Sequence, residues 1–115
     1  MNYTKARFNE LYKEFLEKES ELLNLKRDEY VPDGEEDCIE NFRIAASFEG
    51  RRPEEVCMTY LMKHLQSIQR AVTTEKYDFA WWSEGQGVEG TKQRIADSRN
   101  LLMLLAAIMD DKETN

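Results

Sequence analysis

Arg94, Asp97 and Asn100 stand at i, i+3 and i+6, so a helix through them carries a guanidinium, a carboxylate and an amide near one face. A carboxylate and an amide oxygen are hard donors suited to Mg²⁺, and a guanidinium meets phosphate oxygens two at a time. Glu89 lies about two turns before Asp97 and would add a second carboxylate. The same residues serve equally in an interhelical salt bridge and an amide network at the end of a bundle. The next turns of the helix sharpen the choice, because Leu101 to Met109 is an unbroken apolar run and the turns before it should already be burying their faces.

Other residues raise the same choice. Glu19 and Lys26 fall on the line Phe8, Tyr12, Phe15, Glu19, Leu22, Lys26, Tyr30, inside an apolar stripe. A buried unpaired charge is costly, so each needs a partner, a metal, a ligand or water, unless both reach solvent from the edge of a wide stripe. Glu14 and Glu17 have the ExxE spacing that metal-dependent helical pyrophosphohydrolases use, which also fits a solvated face. His64, the only histidine, lies one turn from Tyr60, Leu61 and Ile68. There it reads as a hydrogen-bonded core residue, a ligand or a proton carrier, while the adjacent Lys63 faces elsewhere. No second histidine or cysteine pair completes a zinc set. Trp81 and Trp82 could stack on a base, anchor in a protein groove or pack across the open end of a bundle. Gly85, Gly87 and Gly90 precede a helix start, where free amides receive anions, without the lysine pattern of a phosphate loop.

The elements that must position these groups are helices. Phe8, Leu11, Tyr12, Phe15, Leu16, Leu22, Leu23 and Tyr30 recur every three or four residues, predicting a long amphipathic helix from about 4 to 30, with Thr4 at its cap position. "VPDGEED" breaks the pattern with Pro32 and Gly34. A second helix comes next, capped by Asp37, carrying Ile39, Phe42, Ala45, Ala46 and Phe48 and closed by Gly50. Pro53 with two acids after it opens a third helix, whose stripe is Val56, Tyr60, Leu61, Leu65, Ile68 and Val72. Residues 73–90 show no period and read as an aromatic and glycine-rich loop, and a fourth helix runs from about Val88 or Thr91 to Met109 before a polar, frayed tail over 110–115. β-branched residues are few and nothing alternates, so the expected fold is all-α: one domain over 1–115, a four-helix antiparallel bundle with a long N-terminal helix. That first helix outreaches a small bundle and invites homo-oligomerisation.

Sixteen Lys and Arg against 23 Asp and Glu leave a net charge of −7, which repels phosphate backbones and argues against direct DNA binding. It leaves room for carboxylates around a divalent metal, or for an acidic face docking on a basic protein partner. Cys38 and Cys57 form no CxxC pair and the N-terminus lacks the apolar core of a signal peptide, so reduced thiols in a cytoplasm are expected. The nine apolar residues from Leu101 to Met109 fall short of the ~20 a membrane helix needs, so no membrane association is expected.

Several fragments together resemble a family. "LKRDEY" (Leu25 to Tyr30), the acidic glycine-containing loop, "ENF" (Glu40 to Phe42), "YLMKHLQSI" (Tyr60 to Ile68) and "VEGTKQRIADSRNLLMLLAAI" are similar to small phage-type helical proteins known as nucleotide-modification-associated. More distantly they resemble all-α MazG-like nucleotide pyrophosphohydrolases. The likeness spans most of residues 22–108. Lys26, Tyr30, Asn41, Phe42, Asp97 and Asn100 match the family pattern, and Glu29 stands where aspartate is usual. Lys63 and His64 replace an Asp-Lys pair, and Leu101 stands where tyrosine is common. The resemblance implies a nucleotide-handling scaffold. Its pocket would take a nucleotide or phosphate ligand on Lys26, Tyr30, Asn41, Lys63, His64, Arg94 and Asn100, with Mg²⁺ on Glu19, Glu29 and Asp97. The alternative is a small acidic interaction protein, such as a phage inhibitor of a host defence, that blocks a basic groove with surface carboxylates and the Trp81–Trp82 loop or sequesters a signalling nucleotide.

Overall fold

The computed structural model describes residues 2–30, with side chains to Leu23, together with 38–76, 82 and 90–114. Four helices make up the described chain: α1 (Lys5–Tyr30), α2 (Glu40–Glu49), α3 (Pro53–Thr74) and α4 (Thr91–Thr114). The fold is an all-α bundle, as the spacing of apolar residues requires.

Local signals place the helix ends. Thr4 caps α1: its hydroxyl accepts the Arg7 N–H at 3.1 Å, and its carbonyl accepts that of Phe8 at 3.0 Å. Gly50 closes α2 in the left-handed region at φ 67°, where the Arg51 N–H turns back to the Ala46 carbonyl. Pro53 opens α3, and the Glu55 carboxylate accepts the N–H of Arg52 at 3.0 Å. The same left-handed turn ends α3 at Glu75, φ 56°, without a glycine. The tail expected to fray from 110 is helical instead, through Thr114. Asp111 takes the Arg43 guanidinium of α2 at 2.8 Å and Lys112 pairs with Glu54 of α3, so both neighbours hold the last turn in place.

Helix sense is set by which residues meet. Glu14 pairs with Lys92 and Glu19 with Arg99, partners that ascend together, so α1 lies parallel to α4. α3 lies antiparallel to α4: Glu54 meets Lys112 near the end of α4, while Cys57 Sγ lies 3.4 Å from the Leu101 carbonyl further back. α2 and α3 form a helical hairpin in which Phe42 meets Tyr60. α4 is therefore the middle member, flanked by α1 on one side and by the α2–α3 hairpin on the other.

The core sits between α2, α3 and α4. Ile39, Phe42, Ala46, Val56, Cys57 and Ile108 are its buried cluster, with Leu101, Leu104 and Leu105 packed against it. Each large member removed from water contributes about 1.5–3 kcal/mol. α1 adds Phe15 to the interior, but Phe8, Tyr12 and Leu16, read from spacing as its buried stripe, are about half exposed. Tyr60, Leu65 and Val72 of α3 are likewise exposed. The apolar stripes are wider than the area the helices bury.

Candidate functional site

The first turns of α4 are polar and nevertheless buried. Thr91, Gln93, Ala96, Asp97 and Ser98 are all buried. Gln93 Nε2 lies 3.4 Å from both Asp97 carboxylate oxygens one turn on. Ser98 Oγ donates to the Arg94 carbonyl at 2.8 Å, a bond inside its own helix.

Toward α1 the arrangement is a seam of charge and aromatic rings. Lys92 Nζ, with its side chain 11% exposed, donates to Glu14 Oε1 at 3.0 Å. Trp82 Nε1 donates to the same oxygen at 2.9 Å, its ring edge-on to Phe15 at 4.7 Å and 5.7 Å from the lysine nitrogen. Hydrogen bonds from Lys92 and then Trp82 hold the Glu14 carboxyl below its usual range. Two turns further along, Arg99 lies 5.3 Å over Tyr12 and 5.8 Å over Phe15, with Nε 2.8 Å from Glu19 Oε1. Burial pushes the Glu19 carboxyl up, against the opposing pull of Arg99. Asn100 Nδ2 donates to the Glu19 carbonyl at 3.0 Å.

Of the site residues expected from sequence, Glu19 and Asn100 meet in this seam. Asp97 is buried in α4 beside Gln93, and Arg94 is half-buried one turn before Ser98. Asn41 is exposed on α2, Lys63 is exposed on α3, and His64 is half-buried. Lys63 and Asn41 line separate grooves. Glu29, Lys26 and Tyr30 side chains, with Glu89, Trp81, Gly85 and Gly87, lie outside the described residues. Among the described residues no three of His, Cys, Asp or Glu gather as a metal site. Sequence reasoning missed Glu14, Trp82, Lys92 and Arg99 as partners. The seven-residue spacing of Lys92 and Arg99, two turns along one face of α4, was the signal available.

Two of the grooves open to solvent among the described residues lie along α3 and α2. One, about 620 Å³, runs along α3 with Met58, Met62, Leu105 and Met109 as its floor and Arg51, Arg52 and Lys63 on its rim. Arg51 is partly committed, donating to Thr59 Oγ1 at 2.8 Å and the Glu55 carbonyl at 3.0 Å. The other, about 450 Å³, runs along the outside of α2 between Glu40 and Glu49, with Ile44 and Phe48 at helical spacing. Phe48 is 93% exposed.

The fold and these features define a small helical bundle with interhelical ion pairs and uncovered apolar faces. No protein family, no curated protein and no solved structure matches the chain. Among the described residues no helix is long and apolar enough to cross a membrane.

Proposed function

We propose that this chain is a protein-interaction module that docks on a basic, apolar groove of a partner protein through the outer edge of α2. The observation that carries the reading is Phe48, 93% exposed, with Ile44 one turn before it at 63%. Glu40 and Glu49 flank them in a chain of net charge −7. An aromatic anchor with Glu40 on one side and the Arg51-paired Glu49 on the other suits a groove with basic groups at its edge: the ring fills a pocket and the acids steer the encounter. This role falls to α2 rather than to Trp82, whose indole is turned inward onto Glu14 and Phe15. A host protein blocked in this way fits the inhibitor expectation drawn from composition. The test places a photoreactive phenylalanine at position 48 and identifies the crosslinked protein. The expected product is one basic protein, lost when Ile44→Glu is added; a crosslink insensitive to Ile44→Glu overturns the reading.

A second reading, nucleotide or phosphate binding with Mg²⁺-assisted chemistry, keeps one specific support. The α3 groove has the volume of a small-ligand site, and Lys63 lines it beside three methionines and could meet phosphate charge, while Arg51 and Arg52 share the lining with Glu54 and Glu55. A rise in melting temperature with a nucleotide and Mg²⁺, lost in Lys63→Ala, supports it. Silence across the nucleotide panel removes it. The resemblance to nucleotide-modification-associated and MazG-like proteins belongs to this reading.

A further inference from the structure

We infer that the broad apolar face spanning α1, α4 and α3 is where two copies of this chain join face to face. Its side chains lie on one side of the three-helix layer. On α4, Leu102 and Asp111 are nine residues apart, ~900° of helical turn at ~100° per residue, and so project to opposite sides. Asp111 holds Arg43 of α2, so α2 covers one side and Leu102 belongs to the other. On α3, Tyr60 meets Phe42 of α2, and Met58 and Met62 each stand two residues from it, ~200° of turn away. On α1, Tyr12 lies under Arg99, two residues and the same ~200° away from Glu14, which turns toward Trp82 and Lys92. Phe8 and Leu16 flank Tyr12 at i−4 and i+4.

The extent of this face matches what a stable pair needs. Phe8, Tyr12, Leu16, Met58, Met62 and Leu102 are each between 40% and 53% exposed. At roughly 200 Å² per large side chain these six present about 570 Å² of apolar surface. At the ~65% apolar fraction of homodimer interfaces that implies about 870 Å² per copy, against the ~800 Å² per partner of a standard interface. The charge on the face also selects a second copy rather than a charged partner. The ions on it, Arg99 and Glu19, neutralise one another within the chain, so the face itself adds no unpaired charge to the salt-screened repulsion between two chains of −7. A two-fold axis through the face makes the contact self-complementary and closed, and it leaves both Phe48 edges facing outward.

The test is the solution mass of the full chain by light scattering or sedimentation from about 1 to 100 μM, since dimer population depends on concentration. The expected mass at the upper end is 27.2 kDa, twice the 13.6 kDa of one chain. Phe8→Glu with Leu102→Glu is expected to give 13.6 kDa with an unchanged helical circular-dichroism spectrum, and Phe48→Glu is expected to leave the mass doubled. Should the double variant lose helicity, Met62→Lys alone, at another point of the same face, is expected to shift the pair toward single chains. A wild-type chain of 13.6 kDa throughout overturns the inference. So does a doubled mass that survives Phe8→Glu with Leu102→Glu, or one abolished by Phe48→Glu.

Discussion

Arg99 and Glu19 stand 2.8 Å apart, yet Glu19 Oε1 accepts no aligned hydrogen bond among the described residues. The contact is a charge pair at the rim of two aromatic rings, and burial of the carboxyl outweighs the nearby guanidinium. Because the folded form favours the protonated carboxyl, Glu19 contributes stability that is complete below the unfolded carboxylate pKa and is lost as pH rises through its folded value. Urea titrations of wild type and Glu19→Gln at pH 4 and pH 7 should therefore show wild type gaining relative to the variant in acid. At pH 4 the two should lie within about 0.5 kcal/mol, and at pH 7 wild type should fall below the variant.

Glu14 carries the opposite sign. Its carboxyl is lowered by Lys92 and Trp82, so its contribution is present above the unfolded carboxylate range and disappears as pH falls through the folded pKa. Glu14→Gln is expected to cost about 1 kcal/mol at pH 7, discounted because the carboxylate is partly exposed, and progressively less as pH falls through the folded pKa. A loss that stays equal as pH falls would show that shape, not charge, holds this end of the seam.

Asp97→Ala should lower stability by about 1–3 kcal/mol, since the buried amide of Gln93 loses its acceptor. The loss is expected to be the same with and without Mg²⁺, measured by thermal melts. A Mg²⁺-dependent difference would restore a metal role for this carboxylate.

The two thiols should separate cleanly. Cys57 is fully buried and burial raises its pKa, whereas Cys38 is exposed. A colorimetric thiol reagent at neutral pH is expected to titrate one group within seconds to minutes and the second only in denaturant.

Stopping the chain after Met109 removes both ion pairs that fasten the last turn of α4, Arg43–Asp111 and Lys112–Glu54. A loss of roughly 1 kcal/mol is expected for two partly exposed pairs, read from the denaturation midpoint. A midpoint unchanged by the truncation would mean that the last turn adds nothing to stability.

The helices were legible because their signals are local: the stripe of α1, Gly50, Pro53 with its acids, and the apolar run of α4 each act within a few residues. Partners were not legible, since they depend on which helices are neighbours. Phe8, Tyr12 and Phe15 have the same spacing and chemistry, yet Phe15 is buried and the other two are not, because α4 covers only one edge of the stripe. Asp97 and Asn100 looked like one site on one helix face. Packing sends Asn100 to the backbone of α1 and leaves Asp97 with Gln93.

The middle position of α4 also orders events during synthesis. Glu14 waits for Lys92, 78 residues later, and Asn100 is made 81 residues after Glu19. At about 5–20 residues per second of elongation, the earlier helices spend several seconds without the strut that joins them. Among the described residues, only the α2–α3 hairpin has its own packing partner until α4 emerges from the ribosome, so the aromatic side chains of α1 that α4 later covers stay bare until then.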